Sequence, residues 1–115
     1  LGEALQHSPH WDGINVTFAS PLPGEKHQDQ AMQGQELAEA YKTFVWERGV
    51  GETRACGSAA CALAASLLAS GLFPRAEWLS LVFPGGTLYV RQDQEGGDAF
   101  LCGPGAFVFS GKLDL

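Results

Sequence analysis

Apolar and polar residues alternate from Ile14 to Ala19, a stretch that reads INVTFA. An alternation with a period of two is typical of a β-strand that buries one face, so we predict a half-buried strand over these residues. Asn15 falls on the polar face of this strand, where its amide is available to a ligand. An asparagine in a strand more often makes a structural hydrogen bond, and the pattern leaves that alternative open.

A second pattern covers residues 58–69, which are all Ala, Leu, Ser or Cys and include no charged residue. These residue types favour a helix, and a helix that lacks a polar stripe is typical of a buried position. Gly71 follows at a place that suits a helix C-terminus. We predict a helix that begins just after Cys56 and is covered on every side by the rest of the chain.

Short apolar runs, separated by turns that contain glycine, follow the helix. Consecutive runs of this kind are typical of antiparallel strands joined by tight turns. Together they would form the shell that an apolar helix needs. The predicted strands are Glu77–Phe83, Thr87–Arg91, Ala99–Cys102 and Ala106–Ser110.

The segment upstream of the helix is ambiguous. Apolar residues from Gln35 to Phe44 have helical spacing, whereas those towards Trp46 alternate like a strand. Residues 20–35 are polar and contain prolines and glycines, which predicts a long loop. The fold class expected from all these elements is α+β, with residues 1–115 as a single domain in which a curled antiparallel sheet or barrel surrounds one buried central helix.

The composition is that of one ordinary globular domain, with 115 residues of which 45% are hydrophobic and 17% charged. The formal net charge of -6, with only seven Lys and Arg residues, argues against nucleic acid or an anionic membrane surface as a partner. The longest apolar run, from Ala59 to Ala69, is too short to cross a bilayer. We therefore expect a soluble protein with no nucleic-acid and no membrane partner.

Three cysteines are present, and no two of them form a CxxC pair. An odd number without that spacing disfavours a disulfide framework or a zinc ribbon, and reduced thiols in the cytoplasm fit better. His7 and His10 are interpreted as loop histidines rather than metal ligands, because no third ligand lies at a suitable spacing. The chain opens at Leu1 rather than at Met, which predicts that it is processed or is part of a longer protein.

Cys56 lies between Gly51 and Gly57 at the predicted start of the helix. Unpaired backbone N–H groups of a first helical turn bind anions, and the positive end of the helix dipole favours a thiolate. The plainer alternative is a small packed residue, which is what free cysteines most often are. Glu47 and Arg48 lie close upstream and can hold an ammonium and a carboxylate, so the segment suits an amino acid as its ligand.

These residues resemble the signature of one enzyme family. The run ERGVGET at 47–53, followed by ACGS at 55–58 and ACA at 60–62, closely resembles diaminopimelate epimerase, which works without pyridoxal in bacterial lysine and peptidoglycan synthesis. The resemblance covers most of the chain. It extends to GINVTF at 13–18, PGGTL at 84–88, GP at 103–104 and VFSG at 108–111.

The resemblance implies two half-domains that face each other across a cleft, each a curled sheet around a central helix, with this chain as the C-terminal half. It places a strand directly before Glu47, which decides the ambiguous segment in favour of a strand from Ala40 to Trp46. It also implies a cytoplasmic bacterial enzyme that uses no cofactor and no metal. The expected partners are diaminopimelate as substrate and an N-terminal half-domain, with a homodimer as a further candidate, and the isolated chain would be inactive.

Residue roles follow from the same resemblance. Cys56 matches one of two thiols that act as acid and base on opposite faces of the α carbon, while the other thiol belongs to the N-terminal half. Glu47 and Arg48 match residues that contact the distal end of diaminopimelate. Gly57 and Ser58 match donors to the carboxylate at the reacting centre.

Other positions either extend the match or depart from it. Asn15 matches a substrate-binding asparagine, which favours ligation over the structural hydrogen bond. Cys102 stands where the family usually has Thr before Gly-Pro, and the loop from Ser20 to Glu36 is longer than usual. Cys61 and Cys102 are interpreted as packed thiols, because Cys61 cannot share a helix face with Cys56.

Three alternative functions stay open. One is another cofactor-independent racemase or isomerase of the same fold, although Glu47 and Arg48 favour a substrate with a distal ammonium and carboxylate. Another is a non-catalytic half-domain that becomes an enzyme only with its partner half. The third is a thiol redox protein that uses Cys56 and Cys61, which the absence of a CxxC motif disfavours.

Overall fold

The structure, a computed structural model, describes residues 1–10, 13–24, 30–73 and 77–115. These ranges contain two α-helices, one 3-10 turn and six strands. In chain order the elements are α1 Gly2–Gln6, β1 Val16–Leu22, the 3-10 turn Gln30–Met32, β2 Leu37–Glu47, β3 Gly51–Thr53, α2 Gly57–Ala69, β4 Trp78–Phe83, β5 Gly86–Gln92 and β6 Ala99–Cys102.

All six strands belong to one sheet, in which β1, β2, β4, β5 and β6 lie side by side in that order and β3 pairs with the end of β2. Four of the five pairings are antiparallel, but β2 and β4 run parallel, with Tyr41 opposite Leu81. Parallel neighbours need a long crossover, and the chain through β3 and α2 provides it. The α+β class is therefore confirmed, whereas the prediction of an antiparallel sheet or barrel is wrong because the sheet is mixed and is not closed.

The strands after the helix follow the prediction except at the C-terminus. β4, β5 and β6 confirm three of the four predicted strands. The fourth, Ala106–Ser110, is wrong: within the described ranges residues 103–115 pair with no strand, and Phe107, Val108 and Phe109 are exposed. A strand-like pattern specifies which residues favour an extended backbone but not whether a sheet edge is there to pair with it.

The strands before the helix differ from the prediction mainly in their bounds. β1 starts two residues later than predicted and continues into the predicted loop, where Pro21 is tolerated because β1 is an edge strand. β2 confirms the strand predicted from Ala40 to Trp46 and begins three residues earlier. β3 was not predicted, because three residues are too few to show an alternation. Of the predicted loop 20–35, residues 25–29 lie outside the described ranges.

The helix α2 has the predicted bounds but is buried on one face only. Its opposite face, which includes Ala62, Ser66 and Ala69, is exposed, so the prediction of a helix covered on every side is wrong. An open sheet can cover only one side of a helix, which is the physical reason for the difference. Nothing in the described helices has the length and apolar character that crossing a membrane requires. The buried residues of α2 are Ala59, Ala60, Ala64, Leu67 and Leu68.

The short helix α1, which the sequence alone left unassigned, is docked onto β2 through Trp46. A Cβ atom at Gly2 would lie 2.7 Å from Trp46 Cγ, so the close approach requires glycine. Trp46 Nε1 donates a hydrogen bond to Gln6 Oε1 at 3.3 Å, and Gln6 Nε2 donates to the Ile14 carbonyl at 3.3 Å. These contacts fix the end of β2 that leads into Glu47.

Candidate functional site

The turn between β2 and β3 carries Glu47 and Arg48. Glu47 lies opposite Gly51 in β3, and the Val50 N–H donates to the Glu47 carbonyl at 3.2 Å. Gly49 and Gly51 have φ angles of +78° and +92°, a region that glycine adopts without steric cost. The glycines of the motif therefore close the turn, which presents a half-buried Glu47 and an exposed Arg48.

Asn15 lies just before β1 and contacts the same turn. Its Oδ1 accepts a hydrogen bond from the Arg48 backbone N–H at 2.7 Å. The structural hydrogen bond that the sequence left open is therefore present, and it occupies the oxygen of the amide. Asn15 is exposed, and its Nδ2 bonds to no residue that the structure describes, which leaves this donor available to a ligand.

The Arg48 side chain extends over Gly13. A Cβ atom at Gly13 would lie 2.8 Å from Arg48 Cδ, so the absence of a side chain there makes room for the arginine stem. Among the described residues no carboxylate forms an ion pair with the Arg48 guanidinium. Its donors are therefore available to a carboxylate of a ligand, which a guanidinium binds with two parallel hydrogen bonds.

A cavity of about 1010 Å³ lies next to Arg48, which is one of its lining residues. It is lined by the α1 segment and by the turn between β2 and β3, and Glu3, His7 and Glu52 contribute ionisable groups. Cys56 does not line it, so the cavity and the thiol belong to different parts of the candidate site. Over the described ranges no three His, Cys, Asp or Glu side chains are arranged to hold a metal ion.

The thiol of Cys56 lies at the start of α2. Three residues, Arg54 to Cys56, connect β3 to this helix. Cys56 is the N-cap residue, with an extended backbone at φ -147° and ψ 116°, and its carbonyl accepts a hydrogen bond from the Ala60 N–H at 3.0 Å. Its Sγ lies 3.4 Å from Ser58 Oγ, and the residue is half-buried. The predicted position of this cysteine is confirmed.

The first turn of α2 presents Gly57 and Ser58 beside that thiol. As in every α-helix, the first backbone N–H groups have no acceptor within the helix. β6 packs closely here, since a Cβ atom at Gly57 would lie 2.9 Å from Leu101 Cδ2. The N–H groups and the exposed Ser58 hydroxyl can together bind an anion next to the thiol.

The structure thus brings the predicted site residues together in two groups. Asn15 is bonded to the turn that carries Glu47 and Arg48, and Cys56 contacts Ser58 at the helix start. β3 and the three-residue linker connect the two groups. All six predicted residues are exposed or half-buried. A second surface would have to cover them to exclude water from a reaction at this place.

The other two cysteines pack against hydrophobic residues. Cys61 contacts the main core cluster, and Cys102 contacts the smaller cluster formed by Met32, Leu37 and Tyr89. All three cysteines carry free thiols. These contacts agree with the interpretation of Cys61 and Cys102 as packed residues. Cys56 also contacts the main core cluster, so its position at the helix start is what sets it apart.

Contacts near the thiol include residues to which the sequence analysis gave no role. Gly85 donates its N–H to the Arg54 carbonyl at 2.7 Å, and Leu101 approaches the first residue of α2. The only sequence signal for Gly85 was the PGGTL segment of the resemblance. Nothing in the local pattern indicated a partner for either residue, because both contacts join elements that are distant in sequence.

We expect iodoacetamide to alkylate Cys56 before Cys61 and Cys102 near neutral pH. Cys56 lies at a helix N-terminus beside the exposed Ser58, whereas Cys61 lies inside α2 and Cys102 lies in β6, away from any helix N-terminus. Limited labelling followed by peptide mass spectrometry measures the order. The urea-unfolded chain is the control, in which the three rates should converge, and preferential labelling of Cys102 in the native chain would contradict the assignment.

Comparison with known proteins gives the same family for nearly the whole chain. The family model for diaminopimelate epimerase matches residues 2–108. A diaminopimelate epimerase of Erythrobacter litoralis is 43% identical over 115 residues, which cover 99% of this chain and 36% of the relative. The diaminopimelate epimerase of Ectopseudomonas mendocina is 35% identical over 116 residues, which cover 100% of this chain and 36% of the relative. The diaminopimelate epimerase of Neisseria meningitidis is 43% identical over 74 residues, which cover 64% of this chain and 26% of the relative. The chain spans about a third of the length of the first two relatives.

Proposed function

This chain belongs to the diaminopimelate epimerase family, and from that premise we propose that it supplies one side of an active site that interconverts LL- and meso-diaminopimelate. In this proposal Cys56 is one of two acid/base thiols, and the second belongs to an N-terminal half-domain. No cofactor takes part. The observation that carries the proposal is the position of the thiol at the N-terminus of α2, 3.4 Å from the Ser58 hydroxyl.

In the proposed reaction one thiol removes a proton and the other thiol delivers one. Cys56, as a thiolate, removes the α proton from one face of the substrate, and the electron pair of the broken C–H bond passes to the α carbon and its carboxylate. The second thiol then delivers a proton to the opposite face, which inverts the centre. In the reverse direction the two thiols exchange roles, so a matched pair serves both isomers.

The start of α2 supports this chemistry by binding the carboxylate next to the reacting carbon. The N–H groups of the first turn, at Gly57 and Ser58, and the Ser58 hydroxyl can donate to that carboxylate. Negative charge grows on it as the α proton leaves, and donors that are already in place stabilise this charge without reorganisation. The absence of a side chain at Gly57 makes room for Leu101 of β6, which packs against the start of α2.

The turn between β2 and β3 is proposed to bind the distal end of the substrate. Arg48 would hold the distal carboxylate, Glu47 the distal ammonium, and Asn15 Nδ2 would add a donor. The Arg48 guanidinium has no ion pair among the described residues, so binding a carboxylate there breaks no ion pair within that part of the chain. This observation favours diaminopimelate over the smaller substrates of another racemase or isomerase with the same fold, which lack the distal groups.

A partner half-domain is part of the proposal because the site is open. The six site residues are exposed or half-buried, and the outer face of α2 is exposed as well. A covering half-domain would bring the second thiol and exclude water. The complete enzyme would act in the bacterial cytoplasm, on the route to lysine and peptidoglycan, whereas the isolated chain would be a non-catalytic half. A homodimer of complete enzymes is a further candidate assembly.

A fusion protein tests the proposal. The part of the Erythrobacter litoralis relative that precedes its matched segment, joined in front of this chain, should invert LL-diaminopimelate and incorporate solvent deuterium at the α carbon. Chiral chromatography gives the isomer ratio, and mass spectrometry gives the deuterium content. The intact relative is the positive control. A soluble, folded fusion that exchanges no α proton would argue that this chain does not complete the site.

A further inference from the structure

The tip of the β4–β5 hairpin contacts the linker between β3 and α2. Phe83 pairs with Gly86, so the tip consists of Pro84 and Gly85. Gly85 donates its N–H to the Arg54 carbonyl at 2.7 Å, and Arg54 Nη2 donates to the Pro84 carbonyl at 3.5 Å. Two hydrogen bonds of opposite direction therefore join the tip to the linker.

Gly85 is required here for space rather than for its backbone conformation. A Cβ atom at this position would lie 2.9 Å from both the Cβ and the carbonyl oxygen of Arg54, and 3.2 Å from its carbonyl carbon. Two of these three atoms are backbone, so relief requires the linker itself to move. Gly86 is different, since its φ of +144° suits glycine but no atom lies within 4 Å of the Cβ position.

The linker has few other attachments. Thr53 is paired with Val45 at one end, and the Cys56 carbonyl accepts the first hydrogen bond of α2 at the other. Between these points Arg54 and Ala55 are exposed and belong to no helix or strand. In the part of the chain that the structure describes, the bond from Gly85 is the one backbone hydrogen bond that these two residues receive.

We propose that Gly85 is a positioning residue for the Cys56 thiol, an inference that rests on the proposed role of that thiol. By holding the Arg54 carbonyl, Gly85 fixes the linker two residues before Cys56. The thiol then stays beside Ser58 and the first-turn N–H groups of α2. Gly85 acts through the linker and does not contact the substrate.

The variants Gly85→Ala and Gly86→Ala separate this role from general stability of the hairpin. Both add one methyl group to neighbouring residues, but only the methyl at Gly85 meets the linker. Gly86→Ala strains the hairpin backbone through its φ of +144° without touching the linker, so it reports the effect of hairpin strain alone. The alkylation rates of Cys56, Cys61 and Cys102 are measured by mass spectrometry in the same sample near neutral pH. The unsubstituted chain is the reference.

In Gly85→Ala we expect the Cys56 rate near neutral pH to fall by about three- to tenfold relative to Cys61 and Cys102, because a displaced thiolate loses the helix N-terminus. Gly86→Ala should leave the ratio of the three rates unchanged. A constant ratio in Gly85→Ala, or an equal fall in both variants, would overturn the proposal.

A second measurement covers the case in which Gly85→Ala does not fold. In the unsubstituted chain, the hydrogen-bonded Gly85 amide should exchange with deuterium more slowly than the Gly105 amide, which lies in an exposed tail. Equal exchange at the two sites would overturn the proposal. Neither measurement uses epimerase activity. The positioning role of Gly85 can therefore be disproved while the proposed function stands, and the fusion protein can be inactive while the positioning role stands.

Discussion

Replacement of Cys56 by Ala in a complete two-domain enzyme is expected to lower the inversion of diaminopimelate by about 100- to 10,000-fold, the range that a positioned acid or base contributes. Alanine at this position removes the thiol but keeps a small residue at the helix start, so the fold should persist. In the proposed two-thiol mechanism, the thiol that remains can exchange a proton on one face only. Any exchange that survives should therefore be confined to one isomer and should exceed the residual inversion.

The fusion protein described above provides the background for this test, and Cys61→Ala provides the matched control. Cys61 lies inside α2, where alanine favours the helix, and it packs against the core rather than near the candidate substrate site. Solvent deuterium incorporation is followed separately from LL- and meso-diaminopimelate. Wild-type exchange from both isomers in Cys56→Ala would remove this thiol from the mechanism.

The chain of 115 residues on its own is expected to fold but not to invert diaminopimelate. It has a continuous core across β2, β4, β5 and α2, which contains residues as fully buried as Ala60, Leu81 and Val90. Inversion, however, needs a second acid on the opposite face of the α carbon and a site closed to water. The isolated chain supplies neither the second acid nor the closed site.

Incubation of the purified chain with enantiopure diaminopimelate, followed by chiral chromatography, checks this result. Circular dichroism and the native alkylation order of the cysteines show in parallel that the chain is folded. Adding the part of a relative that precedes its matched segment, as a separate polypeptide, should restore inversion if the two polypeptides associate. Inversion by the chain alone, at the rate of the fusion protein, would mean that two copies build a two-thiol site or that the mechanism is different.

Features that depend on neighbouring residues were predictable from the sequence. The start of α2 after Cys56 follows from a glycine-containing turn and a run of helix-forming small residues, both local properties. The strands β4, β5 and β6 follow from short apolar runs between turns. The turn that presents Glu47 and Arg48 side by side follows from the two nearby glycines, Gly49 and Gly51, which is again a local property.

Features that join distant segments were not predictable in the same way. A strand pattern does not encode the direction of its neighbour, so the parallel pairing of β2 with β4 could not be read from either strand. The bond from Arg48 to Asn15 spans 33 positions and depends on the register of β1 against β2. Likewise, the contact of Gly85 with Arg54 joins a hairpin tip to a linker 31 positions earlier, which no local pattern indicates.

The exposed segment at residues 106–110 should make the isolated chain prone to self-association. Phe107, Val108 and Phe109 favour β-structure and carry no charge, and β1 and β6 are the edge strands of the sheet within the described ranges. Edge-to-edge addition of one molecule to another is therefore open to this chain. The net charge of -6 opposes it through mutual repulsion, which dissolved salt screens. Dilute samples at low ionic strength should stay clear. Concentrated samples at high ionic strength should aggregate and become turbid.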